Sequence, residues 1–527
     1  AGGFGAGGGR GGSGGTGSVT GASGAGGEAG FGAGAGSNGT GLGANGLAGG
    51  GGGSGYGGSI FVRDGGSLTI TGNAIFGRNN VQGGNSVNGG ASGQSAGSDL
   101  FMMTGSSVVL DPGAGRVITF NGSIADDSKA SIDSDIAIGS GAGLTVRSGL
   151  VVFNGANTYS GQTTIAGGAL QAQDGVGLYA NSNLNLSGGV FQTSGTFDRF
   201  VGGLSDRVQW TGSGGFAGVG EGLTVKLNNG LGVTWAADGF VGNGASLVFG
   251  AETATTGVTF TNDVNLNAGQ RSIVVTSHAG RDAILTGVLS NGGLVVNDAT
   301  HAGRLVLTNR NTYTGATEIR NGTLVLQGDG SIAASSVVRN DGVLDIASTQ
   351  GTSITTLAGN GQVALGHQVL TVTQGSTEFA GAINGTGGLA VTGGTQVLTG
   401  TTGFTGAAVA DTNGVLALAG TGSVAQASVV RADGVFDIAA TTQGAAITTL
   451  AGNGQVALGH QVLTVTQGST EFAGAINGTG GLAVTGGTQV LTGTNGFTGA
   501  AVADVNGVLA LAGTGSVAQA SVVRADG

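Results

Sequence analysis

Residues 359–400 read GNGQVALGHQVLTVTQGSTEFAGAINGTGGLAVTGGTQVLTG. Apolar and polar positions alternate for three to six residues at a time, and Gly, Asn-Gly, Thr-Gly or Gly-Gly breaks the run every seven to ten residues. That is the pattern of short β-strands joined by tight turns. Two architectures produce it: antiparallel sandwiches, or a solenoid whose short strands stack in parallel sheets. The recurrence of the stretch separates them. Residues 357–434 return as residues 450–527, offset by 93, and the 78 aligned positions differ only at Thr402/Asn495 and Thr412/Val505. A diverged copy lies upstream, where SVVRNDGVLDIASTQG (336–351) matches SVVRADGVFDIAATTQG (428–444). A sandwich domain of this length needs its own closed core and a linker to the next copy, yet no linker composition occurs between Gly342 and Gly527. Solenoid turns need none, because each contacts only its neighbours and copies add in register.

Each unit holds about eleven short strands, so three strands per turn predicts about four turns of roughly 23 residues. On that phase Val363, Leu365, Leu370, Val372, Phe379, Ile383, Leu389 and Val391 point inward, and Glu378, Asp411, Arg431 and Asp433 point outward. Repeat equivalents such as Phe379 and Phe472, or His367 and His460, are then expected on one face, about 19 Å apart along the axis.

Composition agrees with an all-β chain. Glycine supplies 120 of 527 residues, with one proline, no cysteine and only 9% charged residues. Glycine at that density excludes long helices, the missing G-X-Y period excludes collagen, and 39% hydrophobic content argues against charge-driven disorder. The net charge of −11 comes from 28 acids against 17 bases, only two of them lysines, Lys129 and Lys226, so nothing binds nucleic acid electrostatically. Apolar runs all fall short of the 18 or more residues of a membrane helix. Zero cysteine excludes disulfides and cysteine-zinc sites and fits a polypeptide exported unfolded. Residues 1–55, with 29 glycines, read as a low-complexity arm that builds no core. Alternation begins near Tyr56, with Ile60, Val62, Leu68 and Ile70 on one face. Four segments result: the arm 1–55, an N-terminal β-helix 56–140, an irregular β-helix 141–300, and the tandem-repeat β-helix 301–527. The chain opens without methionine or signal peptide and closes at the repeat phase of Asp433-Gly434, so further sequence is expected on both sides.

VVFNGANTYSGQTTIAGGALQAQ (151–173) and LVLTNRNTYTGATEIRNGTLVLQ (305–327) share Asn-Thr-Tyr-Ser/Thr-Gly, then an isoleucine, then a glycine followed by alternating apolar residues. The shared positions are Asn157, Tyr159, Gly161, Ile165, Gly168 and Leu170 in one, and Asn311, Tyr313, Gly315, Ile319, Gly322 and Leu324 in the other. This resembles the passenger-associated transport repeat of autotransporters, the self-secreted surface proteins of Gram-negative bacteria. Two degenerate copies place Phe404 and Phe497 where the tyrosine stands, with one residue inserted before the glycine. GGSI (57–60) followed by FGRN (76–79) is similar to the paired GGxI and FxxN motifs of polymorphic membrane proteins, another autotransporter group. The resemblance implies a right-handed parallel β-helix, exported through a C-terminal outer-membrane barrel whose strand pattern this sequence does not contain.

No chemistry rises above this frame. The Gly-Asp-Ser-Gly string of serine-protease passengers is absent. Polysaccharide cleavage needs converging carboxylates, and the dense acids Asp126, Asp127, Asp133 and Asp135 read as a solvated edge. His278, His301, His367 and His460 are too dispersed for a metal, and the last two read as solvent-facing turn residues. GFGAGG (3–8) has neither the strand nor the helix of a nucleotide site. Asn157, Tyr159, Asn311 and Tyr313 read as structural, the tyrosines covering a coil end with wet hydroxyls. Trp210 and Trp235, the only tryptophans, lie in the irregular stretch 192–265 and read first as cap or core packing, with a carbohydrate or protein contact at the surface as the alternative. The sequence thus predicts a non-enzymatic passenger rod of an autotransporter-like adhesin or fibre, without catalytic residues, metal or cofactor. It would sit on the cell surface or outside the cell, associating with itself or with a host or matrix surface, with its translocator outside this chain. A self-assembling sheath or filament subunit is the first alternative, and a glycan-degrading β-helix the second.

Overall fold

The computed structural model describes residues 51–526 apart from 78, 87–90, 133–136, 138 and 277–279. All but the last five residues of the arm 1–55 lie outside this description, as do Asp133, Asp135, His278 and the Arg78 position of FGRN. The chain divides into two units, Ala1–Gly230 with Ala236–Val258, and Leu231–Trp235 with Thr259–Gly527. The division falls within the segment 141–300.

Both units are parallel β-solenoids. In the first, Ser67–Thr71, Ser107–Asp111, Leu144–Val146, Thr163–Ile165, Leu184–Leu186 and Val208–Trp210 stack into one six-stranded sheet. A second face stacks Ala74–Phe76, Val117–Phe120, Leu150–Phe153, Ala169–Ala172 and Val190–Phe197. Ile60–Val62, Leu100–Met102 and Ile124–Asp126 form a third. Parallel stacking brings like residues into register, so rings pile up: Phe76 lies on Phe120 with centroids 4.6 Å apart, and Tyr56 and Phe61 flank Phe101 at 4.7 and 5.3 Å. Each such apolar side chain removed from water contributes about 1.5–3 kcal/mol. The described residues contain no helix long and apolar enough to cross a membrane.

In the second unit the alternation has the phase expected from sequence. Val363, Leu365, Leu370, Val372, Phe379, Ile383, Leu389 and Val391 are all fully buried. Glu378, Asp411 and Arg431 are exposed, and Asp433 is half-buried against the Arg431 guanidinium.

The coil is shorter than expected. Thr352, Leu370, Leu389, Ala408, Val430 and Leu450 stack in one ladder, one residue per coil. The spacing of these numbers gives a coil of about 20 residues. The repeat equivalent of Thr352 is Ala445 (352 + 93), and it stands in a different ladder, Ala445–Leu463–Leu482–Ala501–Val523. Ala445 comes four turns after Thr352, at Val430, and then two faces further on. Each repeat unit therefore makes about four and two-thirds turns, not four. Equivalent residues do not share a face: Val338, Val430 and Val523, which open the same motif in three successive copies, lie in three different ladders.

Glycine sets this pitch. Gly322, Gly342, Gly361, Gly381 and Gly400 form a column in which a Cβ on any upper member would lie inside contact distance of the carbonyl oxygen of the glycine one coil below. Gly434, Gly454, Gly474 and Gly493 repeat the column. A side chain there would push the backbones beyond the roughly 4.7–4.9 Å strand spacing that ladder hydrogen bonds require.

Candidate functional site

The transport-repeat signature is an interior device. The Asn157 Oδ1 accepts the Ile124 N–H at 2.7 Å, and its Nδ2 donates to the Gly177 carbonyl at 2.6 Å. Asn311 repeats this with the Leu289 N–H at 2.8 Å and the Ser331 carbonyl at 3.0 Å. Each asparagine thus ties the coil before it to the coil after it. Two residues on, the buried Tyr159 hydroxyl pairs with Thr163 Oγ1 at 2.7 Å, Thr163 with Ser182 Oγ at 2.9 Å, and Ser182 donates to the Gly161 carbonyl at 2.6 Å. Tyr313, Thr317, Ser335 and Gly315 form the same chain at 2.7, 3.0 and 2.9 Å. Burial pushes both phenols well above their ordinary range, with the threonine bonds opposing. The wet hydroxyls expected at Tyr159 and Tyr313 are corrected: both are dry, because a threonine four residues on and a serine in the next coil satisfy them.

The degenerate copies change every side chain of that set. Phe404 and Phe497 replace tyrosine, Ala408 and Ala501 replace threonine, and Ala427 and Ala520 replace serine. A half-satisfied buried chain is worse than none, which is why the polar set is kept or removed whole. The asparagine varies separately. Asn495 keeps the stitch, accepting the Ile476 N–H at 2.9 Å and donating to the Ser516 carbonyl at 3.0 Å. Thr402 keeps only the forward bond, to the Ser423 carbonyl at 2.7 Å. One of the two differences between the near-identical units therefore falls on this stitch.

A further expectation is corrected. Asp126 and Asp127 are buried, at 0% and 2% exposure, and are not a solvated edge. Asp126 accepts from Ser128, Ser131, Ala142 and Ser160, the last at 2.7 Å from its backbone N–H, and Asp127 accepts from the Thr104 N–H and hydroxyl. These carboxylates replace missing ladder bonds where the chain turns, as buried charge requires. Trp235 is fully buried and Trp210 is 5% exposed, its indole N–H on the Gly214 carbonyl at 2.9 Å and its ring edge-on to Phe216 and Phe240. Both rings are packed in the core.

His367 and His460 are exposed, each with its Nδ1 on a threonine hydroxyl of the next coil, Thr386 and Thr479. His301 Nδ1 lies 2.8 Å from Asp298, whose carboxyl falls to about 2: desolvation opposes the shift, and bonds from His301 and Thr300 outweigh it. Among the described residues no three His, Asp or Glu side chains are placed to hold a metal ion. The GGSI and FGRN motifs meet, the Asn79 side-chain amide donating to the Ser59 hydroxyl.

Sequence reasoning missed the buried Gln396 and Gln489. The Gln396 Oε1 accepts the Leu357 N–H at 3.1 Å and its Nε2 donates to the Leu357 and Thr377 carbonyls at 2.9 and 3.0 Å, bridging three coils. Gln489 does the same for Leu450 and Thr470. The available signal was a glutamine at an inward parity of TQVL, kept in both copies.

Residues 148–172 and 300–326 match the passenger-associated-transport-repeat family. The chain is 33% identical over 159 residues, 28% of its length, to the adhesin BmaC autotransporter of Brucella suis biovar 1 (strain 1330). That alignment spans 4% of the relative. No solved structure matches.

Proposed function

We infer that this chain, an autotransporter passenger segment by its transport repeats and parallel solenoid, is a non-enzymatic adhesive passenger displayed on the surface of a Gram-negative bacterium. The interlocked coil carries the reading. Each transport repeat stitches a coil to both neighbours, so a chain emerging from a pore unfolded gains a fixed template for the next turn without nucleotide or disulfide chemistry. The near-identical units continue the stack, Asn495 keeping both bonds of the stitch and Thr402 the forward one. A glycan-cleaving role receives no support from Asp126 and Asp127, whose oxygens are spent on backbone and hydroxyl donors inside the solenoid.

The translocator and the contacted surface are partners outside this chain. The test fuses residues 1–527 to an autotransporter barrel in a Gram-negative host and measures protease accessibility from outside together with attachment to immobilised matrix and cells. Surface-exposed, folded passenger with attachment above that of the barrel alone is expected. Passenger retained in the periplasm, or displayed passenger with no added attachment, contradicts the reading.

A further inference from the structure

A cleft of about 230 Å³ crosses four successive coils of the first unit, from Asn154 past Gln171 and Gln192 to Val219. Its line follows the ladder, because Val152, Gln171, Gln192 and Ala217 are register partners one above the other. Three ladder steps make it about 14 Å long. None of its lining side chains is charged.

The cleft holds a fixed amide pair. Gln192 is fully buried, and its orientation is set on both sides: Oε1 accepts the Thr253 hydroxyl at 2.8 Å, and Nε2 donates to Gln171 Oε1 at 2.9 Å. Gln171 is only partly buried, and with its oxygen engaged its amide N–H groups remain as donors at the cleft. Gln173 and Ser194, both exposed, add donors and acceptors along the rim, and Phe153 and Val176 supply apolar floor. Neutral donors and acceptors held in a row above small apolar patches suit vicinal hydroxyls on one side and ring C–H groups on the other. A chain of charged sugars would find no counter-charge there, and an apolar peptide would leave the amides unpaired.

We propose that this cleft binds an uncharged oligosaccharide of about three sugar units, laid along the solenoid axis, with Gln171 as the oriented donor. The proposal rests on the adhesive reading and names the ligand class for one of its surfaces. It is tested by probing the full chain on a printed array of neutral and acidic oligosaccharides of three or more units. Ser194→Trp fills the cleft from an exposed position and leaves every member of the Gln171–Gln192–Thr253 chain unsubstituted, and Gln171→Met removes the donor at similar volume.

Retention of neutral glycans by the parent, with at least a tenfold loss in Ser194→Trp and in Gln171→Met and unchanged thermal unfolding of Ser194→Trp, is the expected result. No retained glycan, retention confined to acidic glycans, or undiminished retention by Ser194→Trp overturns the proposal. Attachment of the displayed chain without array binding would sink the cleft and leave the adhesive reading standing. Cleft-dependent array binding without attachment would do the reverse.

Discussion

Replacing Asn495 by threonine makes the second unit copy the first at its stitch. Asn495 makes three hydrogen bonds: from the Ile476 N–H at 2.9 Å, and to the Gly493 and Ser516 carbonyls at 3.0 Å each. Thr402 shows what threonine retains, the single bond to the carbonyl of Ser423. The substitution therefore removes the acceptor of the Ile476 amide in a fully buried strand residue. Losing a buried partner costs about 1–3 kcal/mol, and part of this returns as the strand tightens on its neighbour, so about 1–2 kcal/mol is expected. In a solenoid that cost is local, because each coil answers only to its neighbours. Native-state hydrogen exchange should show the Ile476 amide exchanging roughly 5- to 30-fold faster, with amides several coils away unchanged. Thr402→Asn should slow exchange at Ile383 in the same way. Exchange at Ile476 within twofold of the parent would refute the idea that the asparagine carries this amide.

Tyr313→Phe alone removes the buried hydroxyl that pairs with Thr317 and should cost about 1 kcal/mol, whereas adding Thr317→Ala and Ser335→Ala should cost clearly less than the sum of the single changes; denaturant midpoints of the set would show additivity if the chain is not a unit. Gly381→Ala, whose methyl would meet the Gly361 carbonyl, should lower stability by about 3 kcal/mol or more, against about 1 kcal/mol for Gly420→Ala, which has open space but a φ of +58°. For Asp298 the folded carboxyl is depressed to about 2 from 3.8, so its contribution is present above pH about 4 and is lost as the pH falls through 2. The site is largely exposed and screened, so the effect is confined to the 298–303 turn; a carboxyl titration midpoint near 4 by NMR would contradict it.

Strand phase was legible because alternation over a few residues suffices to say which side chains face in, and all eight residues from Val363 to Val391 obey it. Coil length was not. Leu357–Ala358, Glu378–Phe379 and Gly403–Phe404 are two-residue strands, too short to show an alternation, and missing them lengthened the expected coil. The period was written instead in the column Gly342, Gly361, Gly381 and Gly400, which recurs at the true coil length. The transport-repeat residues were found by their spacing, but their burial depends on Ser182 and Ser335, a coil away. Asp126 misled for the same reason: its donors include Ala142 and Ser160, which the sequence does not mark as neighbours. The cleft joins Asn154 to Val219 across coils of unequal length, so no local pattern announces it.

The stacking of the repeats is tested most directly by spin-label distances at outward positions of the second unit. Thr371, Ala390, Val409, Arg431 and Ala451 follow one another up a single ladder, so Thr371 and Ala451 stand four coils apart on one face. Thr464, the repeat equivalent of Thr371, lies in another ladder. The backbone separation between Thr371 and Ala451 should be about 19 Å, and that between Thr371 and Thr464 clearly longer, since it adds two-thirds of a turn around the solenoid. If instead Thr371 and Thr464 prove to be the closer pair, with Thr371 and Ala451 farther apart, the short coil and the stitching of successive coils built on it are contradicted.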